Sequence, residues 1–511
     1  MVHIFSSLPG RYILESNFQV NNPTFLIAFY PCSEYIIRKW IILESYGDMK
    51  QKKERVLICG FGLSGQSAAQ LCTELGYELV IADSGKCTSS MQKCLEELAK
   101  KGGKVITFFS WEESTPPGKY RNVIVSPGLR KESALYRAAV QSLEEGGRLY
   151  GEMSFALEKL TCKRLAVTGT NGKTTTTELI TALLKANALH AEYAGNIGIG
   201  LCDFVRSQQQ EQLDYLCLET SSFQLETLEN FGDHPCAILN LASDHLDRHH
   251  TMDEYAALKF KLFRDQHSPV NRIMNRNLLP YLQKFLPGTE VTTFSATGPE
   301  ADFTLQGSTI CFRNKAVYDM KTGSLQGSHN AENIMAALGL LRACVSEEAL
   351  FREETRKTLA SFHAGPHRME LFAQYNNIQF VNDSKGTNPH AVKASLHYFA
   401  KGNNIRLLMG GLDKDMDFTE LEEELKFIKK AYLTGACKEK LFQYLSGKIP
   451  CEKFDSFQEA VHAMCTEAGP GDCVMLSPGT ASMDLFANYA ERGECFKNLI
   501  RKEIQAMKQR F

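Results

Sequence analysis

Short apolar runs of strand length, each followed by turn residues and a stretch of helical character, recur along most of this chain. The run Arg55-Val-Leu-Ile-Cys59 predicts a first strand, 66 to 75 a helix, and 78 to 82 and 122 to 125 further strands, the last closed by Ser126-Pro-Gly128. A second series follows: Leu165-Ala166-Val167, a helix opening over 174 to 182, strands at 213 to 218 and 237 to 240, and a polar, strand-rich tract at 290 to 325. After Ala364-Gly-Pro366 come strands at 378 to 382, 405 to 409, 430 to 433 and 473 to 476. Apolar runs of this length, bounded by turns and alternating with helices, predict an α/β fold built on parallel sheets. No internal repeat or low-complexity tract interrupts them.

Residues 1 to 48 break this rhythm. They are rich in aromatics (Phe5, Tyr12, Phe18, Phe25, Phe29, Tyr30, Tyr35, Trp40, Tyr46) and show no helical or strand period. The apolar run 24 to 30 ends at Pro31, too short to span a bilayer and without a basic segment before it. Met49 precedes a charged lead into the first strand, so 1–48 reads either as foreign to the working protein or as a short packed appendage. The rest divides into three domains, 49–151, 152–364 and 365–511. Among 511 residues, 43% are hydrophobic, ample for several cores. Lysine and arginine (57) nearly balance aspartate and glutamate (59), without blocks of one sign, so neither nucleic acid nor membrane is expected as a partner. The 16 cysteines include no C-x-x-C pair, which argues against a zinc ribbon and for free thiols in a reducing cytoplasm. Oligomeric state is left open, with a monomer as the expectation.

The densest chemistry lies in Ala166-Val-Thr-Gly-Thr-Asn-Gly-Lys-Thr174. Gly169 and Gly172 permit a tight turn whose N–H groups face inward, and the following helix N-terminus favours anions. Lys173 is placed for the outer phosphates of a nucleotide and the Thr174 hydroxyl for Mg2+. The spacing is shorter than the common G-x-x-x-x-G-K-T loop. Upstream, Gly60-Phe-Gly-Leu-Ser-Gly65 with Asp83 about twenty residues on matches the dinucleotide fingerprint, which alone suggests NAD. Glu219, at the end of its strand, suits a second Mg2+ ligand. Asp244-His245 follows the next strand, and Lys259 falls on a helix, where the residues alone suggest a surface lysine. His249 and His250 read as solvated loop residues.

Together with the phosphate-loop run, Glu219-Thr-Ser-Ser-Phe-Gln-Leu-Glu226, Asp244-His245, Lys259, Gly327-Ser-His-Asn330, Pro366-His-Arg368 and Asn382-Asp-Ser-Lys-Gly-Thr-Asn388 resemble the Mur ligases. These are ATP-dependent amide-forming enzymes of peptidoglycan precursor synthesis, and the resemblance runs from Met49 to the C-terminus in the family's order. The Glu219 run, the Gly60 turn and Leu476-Ser-Pro-Gly-Thr-Ala-Ser-Met-Asp484 look like the member that adds D-glutamate. No Asp-Asn-Pro-Arg is present, which disfavours the sibling that adds diaminopimelate or lysine.

The resemblance implies a Rossmann-like N-terminal domain, a central P-loop ATPase-type domain and a Rossmann-like C-terminal domain, with ATP and Mg2+ as cofactors. The substrates it implies are UDP-N-acetylmuramoyl-L-alanine and D-glutamate. Leu63, Ser64, Asp83, Ser84, Gly128, Asn196, Ser221 and Ser222 would bind the UDP substrate. Gly169, Thr170, Asn171, Gly172, Lys173, Thr174, Thr175, Thr176, Asn330, Asn333, Arg368 and Asp383 would bind ATP. Thr174, Glu219, His245 and a carbamylated Lys259 would hold metal, with Lys173, His245 and Lys259 as the catalytic set. D-glutamate would meet Lys385, Thr387, Lys414, Ser482 and Tyr489. Two positions depart from the family pattern: Gly85-Lys86 replaces an expected arginine, and Tyr489 an expected phenylalanine. A sibling ligase or folylpolyglutamate synthase remains the alternative within the class, and an NAD-dependent oxidoreductase the alternative outside it.

Overall fold

The computed structural model describes residues 54–509 except 112–117, 299 and 415, together with three short strands at Val2–Phe5, Tyr12–Ser16 and Leu26–Phe29. Those three strands pair antiparallel, although 1–48 show no strand period in sequence. Each is only four or five residues long, too short for a period to register in sequence. Whether the segment packs on the enzyme lies outside the described residues. Elsewhere the residues group into two compact units, 1–167 with 188–234 and 261–267, and 168–187 with 235–260 and 268–511. The predicted middle domain 152–364 is therefore shared between them.

In the first unit a fully parallel sheet runs in the order Val105–Phe108, Glu78–Ala82, Arg55–Cys59, Tyr120–Val125, Leu143–Gly151. Leu57, Cys59, Val80, Ala82, Val123 and Val125 build one core with Leu135 and Ala139. The glycine turn after Arg55–Cys59 is steric in origin. Gly60 has φ +86°, and a Cβ on Gly65 would lie 2.0 Å from the Gly60 carbonyl oxygen. Both glycines are therefore required for the helix Leu63–Glu74 to pack close to the sheet. The same unit holds Ala191–Gly195 paired parallel to Tyr215–Glu219, itself parallel to Lys163–Thr168, with Glu219 level with Val167.

In the second unit, parallel strands Cys236–Ile238, Arg272–Asn275, Thr292–Ser295 and Phe303–Gln306 continue into the antiparallel Thr309–Phe312 and Lys315–Asp319. These last four strands account for the polar, strand-rich tract. The C-terminal sheet has the order Glu370–Tyr375, Ile378–Asn382, Cys473–Leu476, Ile405–Gly410, Ile428–Thr434, Cys451–Lys453, parallel except for its first pair. Leu407 and Met409 face one apolar cluster while Leu408 and Tyr432 face another, so helices cover both sides. Burial on both faces explains why these strands read as unbroken apolar runs.

Candidate active site

The strand Lys163–Thr168 delivers the chain into a four-residue loop, 169–172, and then into the helix Lys173–Ala186. Gly169 (φ +154°) and Gly172 (φ +82°) have backbone angles that side chains resist, and a Cβ on Gly172 would lie 2.1 Å from Asn333 Oδ1. The glycine spacing is thus enforced by neighbours as well as by the turn. The Lys173 ammonium donates to the carbonyls of Gly169 (2.9 Å) and Thr170 (2.7 Å), which folds it over the loop. Thr174, Thr175 and Thr176 are buried in the first helical turn. Thr176 Oγ1 donates to Asn333 Oδ1 (3.4 Å), and Asn333 Nδ2 to Asn330 Oδ1 (3.3 Å), so the structure brings both predicted asparagines to the loop. Asn240 brackets Asn171, accepting from its N–H (2.8 Å) and donating to its carbonyl (3.1 Å).

A group of buried charges stands beside this loop. Lys259 is 1% exposed and corrects the surface-lysine reading: its Nζ donates to the Gly169 carbonyl (3.1 Å) and lies over the Tyr255 ring at 4.3 Å. Burial, reinforced by the Lys173 charge, holds its amine well below the usual lysine range. His245, at φ +57°, is pushed down to about 3, chiefly by burial, and is neutral at physiological pH. Burial opposes the charge of Asp244, yet His245, Lys414 and Lys173 together with a hydrogen bond from Asn388 hold its carboxyl below the usual range. Asp244 Oδ1 is buried and accepts no hydrogen bond from any described residue, with Lys414 Nζ at 3.7 Å and His245 Nε2 at 3.6 Å. A carboxylate oxygen of this kind suits a hard cation or a charged partner. His249 is also corrected. It is buried and stacked on Tyr255 at 5.4 Å rather than solvated, because it ends the short helix Leu246–His249; His250 is exposed.

The residues predicted for the UDP substrate lie at C-terminal ends of strands in the first unit, where open α/β sheets take ligands. Leu63 is 85% exposed at the start of its helix, Ser84 and Gly128 are exposed in turns, and Ser64 is half-buried. Asp83 is committed to the backbone, accepting from Phe61 N–H (2.6 Å) and Gly85 N–H (2.7 Å). Asn196 Nδ2 donates to Glu219 Oε1 (2.6 Å), and Ser221 caps the turn 222–225, accepting from Gln224 N–H (3.3 Å) while Ser222 is buried.

In the C-terminal sheet's loops, the Lys385 ammonium lies 3.7 Å from the centroid of the Tyr489 ring, so two predicted D-glutamate residues meet. Thr387 N–H donates to the Lys385 carbonyl, and Ser482 is buried in the loop after Cys473–Leu476. Lys414 instead stands beside Asp244. Asp383 is buried, accepting from Ser395 Oγ (2.5 Å), Ser477 Oγ (2.7 Å) and Met369 N–H (3.1 Å), and burial lifts its carboxyl to about 6. Arg368, beside it, is half-buried. The sequence reading missed the fully buried Arg492, which donates to the carbonyls of Ser384 (2.9 Å), Thr480 (3.2 Å) and Ala481 (3.3 Å) and so ties these loops together. Nothing local in a helical arginine signals that. It also missed His390 and gave no role to Asn388, the end of the quoted run 382–388, although Asn-Pro at a helix start is a readable cap.

The Mur ligase middle domain matches residues 167–341, and the Mur ligase glutamate ligase domain residues 367–479. A UDP-N-acetylmuramoylalanine–D-glutamate ligase of Desulfitobacterium hafniense is 33% identical over 472 residues, covering 89% of this chain and 99% of that protein. The chain belongs to the Mur ligase family. The equally named protein of Acidobacterium capsulatum is 32% identical, covering 88% of this Mur ligase and 97% of its own length. Among solved structures, the UDP-N-acetylmuramate–alanine ligase of Thermotoga maritima shares the fold with TM-score 0.53 at 15% identity, over 88% of this chain and 99% of its own. The MurF ligase of the same organism, solved with ADP, gives TM-score 0.54 at 18% identity, over 78% and 98%. Family membership sets aside the oxidoreductase reading of the Gly60 turn. Among the described residues, no helix is long and apolar enough to cross a membrane.

Proposed function

We propose that this Mur ligase joins D-glutamate to UDP-N-acetylmuramoyl-L-alanine with hydrolysis of ATP to ADP and phosphate, in peptidoglycan precursor synthesis. The observation that carries this reading is the match over nearly the whole chain, at 31 to 34% identity, to relatives named for that reaction. The alanine carboxylate attacks the γ-phosphorus of ATP and ADP departs. The amine of D-glutamate then attacks the acyl phosphate carbon, phosphate departs, and the amine proton is lost to solvent.

Most of what the protein contributes is charge placed in advance of this transfer. The N–H groups of Thr170 and Asn171 are held by Asn240, so the N–H groups at 172–174, at the N-terminus of the helix Lys173–Ala186, together with the Lys173 ammonium, would meet the phosphates. Lys414, half-buried beside Asp244, and Lys385, over Tyr489, supply cations for the two carboxylates of D-glutamate. Thr174, Glu219, neutral His245 and Lys259 are the residues that would hold Mg2+. The donor chemistry fits, since a hydroxyl, a carboxylate and an uncharged imidazole all ligate it or its bound waters; burial favours the uncharged form of the Lys259 amine, the form that would add CO2 to give a carbamate oxygen donor. Bound Mg2+ would neutralise charge on the phosphates. Among the described residues no three His, Cys, Asp or Glu side chains gather as a ready-made metal centre. Phosphate release that requires both D-glutamate and the UDP-sugar alanine tests the reading.

A further inference from the structure

One hydrogen-bonded bridge joins the phosphate loop to the start of the helix Pro389–Phe399, more than two hundred residues later in the chain. Asn171 Nδ2 donates to His390 Nδ1 (3.0 Å) and to Asn388 Oδ1 (3.3 Å), which uses both of its hydrogens. In return Asn388 Nδ2 donates to Asn171 Oδ1 (3.1 Å) and to Asp244 Oδ2 (3.3 Å). Asn388 Oδ1 also accepts from Ala391 N–H (2.9 Å), capping the helix and fixing which way its amide points. The assignment is self-consistent: every amide hydrogen of the two asparagines meets an acceptor. It obliges His390 to present a bare Nδ1, the neutral imidazole with its proton on Nε2. Burial, with the nearby Lys393, favours that form. His329 is close by, half-buried and pushed down to about 4, chiefly by burial.

The bridge ends on residues of both halves of the reaction. Asn171 lies in the phosphate loop, between Thr170 and Gly172. Asn388 is next to Thr387 and three residues from Lys385, two groups assigned to D-glutamate, and Asp244 pairs with Lys414, a third. We propose that His390 is a positioning residue: with Asn388 it clasps the Asn171 side chain, so that nucleotide occupancy of the loop sets the place of the D-glutamate groups. The proposal rests on the functional reading above for its substrates, and on the geometry of the bridge for its mechanism.

A comparison of His390→Ala with His390→Asn in the full chain tests it. Asparagine restores an acceptor oxygen near the position of Nδ1, and alanine does not. The expected result is that His390→Ala keeps parental affinity for ADP, within about twofold, and parental Tm. It should lose roughly tenfold in kcat/KM for D-glutamate, the order expected for one well-placed polar contact, with His390→Asn recovering most of that loss. Hydrogen exchange supplies a readout independent of turnover. Adding a non-hydrolysable ATP analogue should protect amides at 387–392 in the parent and in His390→Asn, and leave them unprotected in His390→Ala. Parental kinetics and protection in His390→Ala, or equal losses in both variants, would overturn the proposal. Absence of D-glutamate-dependent phosphate release in the parent would overturn the functional reading alone, and exchange would still decide the clasp.

Discussion

Two glycine turns open two helices in this chain, and they differ in what stands around them. At Gly60–Gly65 the turn is closed by a carboxylate, Asp83, which accepts from Phe61 N–H at 2.6 Å, and residues 60–65 include no lysine. At 169–172 the turn is closed by an amide, Asn240, and by the ammonium of Lys173, with Lys259, Asp244 and Lys414 close by. Both turns satisfy the same steric demand, since glycine alone fits where backbone or a neighbouring side chain comes within about 2 Å of a Cβ. The second also carries concentrated, partly desolvated charge, which is what stabilises a migrating phosphoryl group.

The largest effects should come from the charges around the second turn. Lys259→Ala should nearly abolish turnover, a loss of at least ~10³-fold for removal of a metal-holding group, with partial rescue by added formate or acetate. Lys259→Arg, which keeps a fixed positive charge in the site, should be inactive and unrescued. Parental activity in Lys259→Arg would rule out the carbamate. Lys173→Met should retain the fold by circular dichroism and lose about 100-fold or more in kcat, the usual cost of one preorganised charge-stabilising group. A folded, fully active Lys173→Met would remove the distinction drawn between the two turns.

The first turn should respond differently. Asp83→Ala frees Phe61 N–H and loosens the turn, so KM for the UDP substrate should rise by roughly tenfold while KM for ATP stays within error. An equal rise in both would contradict a role confined to the first unit. The smallest effect concerns stability. Glu152 is buried and accepts from Cys202 N–H (2.6 Å), and burial lifts its carboxyl from 4.5 to about 6. The folded state therefore binds this proton more tightly than the unfolded state. Its contribution to stability is full below pH 4.5 and lost as pH rises through about 6, for a change on the order of 2 kcal/mol at most. Glu152→Gln keeps an acceptor without the charge, so denaturant titration at pH 5 and pH 7.5 should show a flatter dependence than in the parent. Identical pH profiles would remove Glu152 as the cause.

Residues whose identity is imposed by backbone geometry were legible in the sequence. Gly169, Gly172 and Lys173 fall where the turn requires them, and the parallel strands read as apolar runs because both their faces are covered. Lys259 was less legible, though its signal was present. In the helix Met252–Phe260 the buried positions are Tyr255, Ala256, Lys259 and Phe260, a stripe at helical spacing that places the lysine on the apolar face. His249 follows the same logic, packed on Tyr255 from the preceding turn. The clasp of Asn171 by Asn388 and His390 had no local signal, since its partners are brought together by the fold alone. Asp83 matched the dinucleotide fingerprint in spacing, but spacing does not report that both its oxygens meet backbone amides.

The central claim is the choice of substrates, and phosphate release across a matrix of UDP-sugar acceptors and amino acids tests it most directly. D-glutamate must fix two carboxylates while its amine faces the acyl phosphate, and a misdirected amine forfeits near-attack geometry worth about 7 kcal/mol or more. The account predicts ATP-dependent phosphate release with UDP-N-acetylmuramoyl-L-alanine plus D-glutamate, and little with L-glutamate, L-alanine or diaminopimelate. Equal use of L- and D-glutamate, or preference for the UDP-sugar lacking alanine, would contradict it.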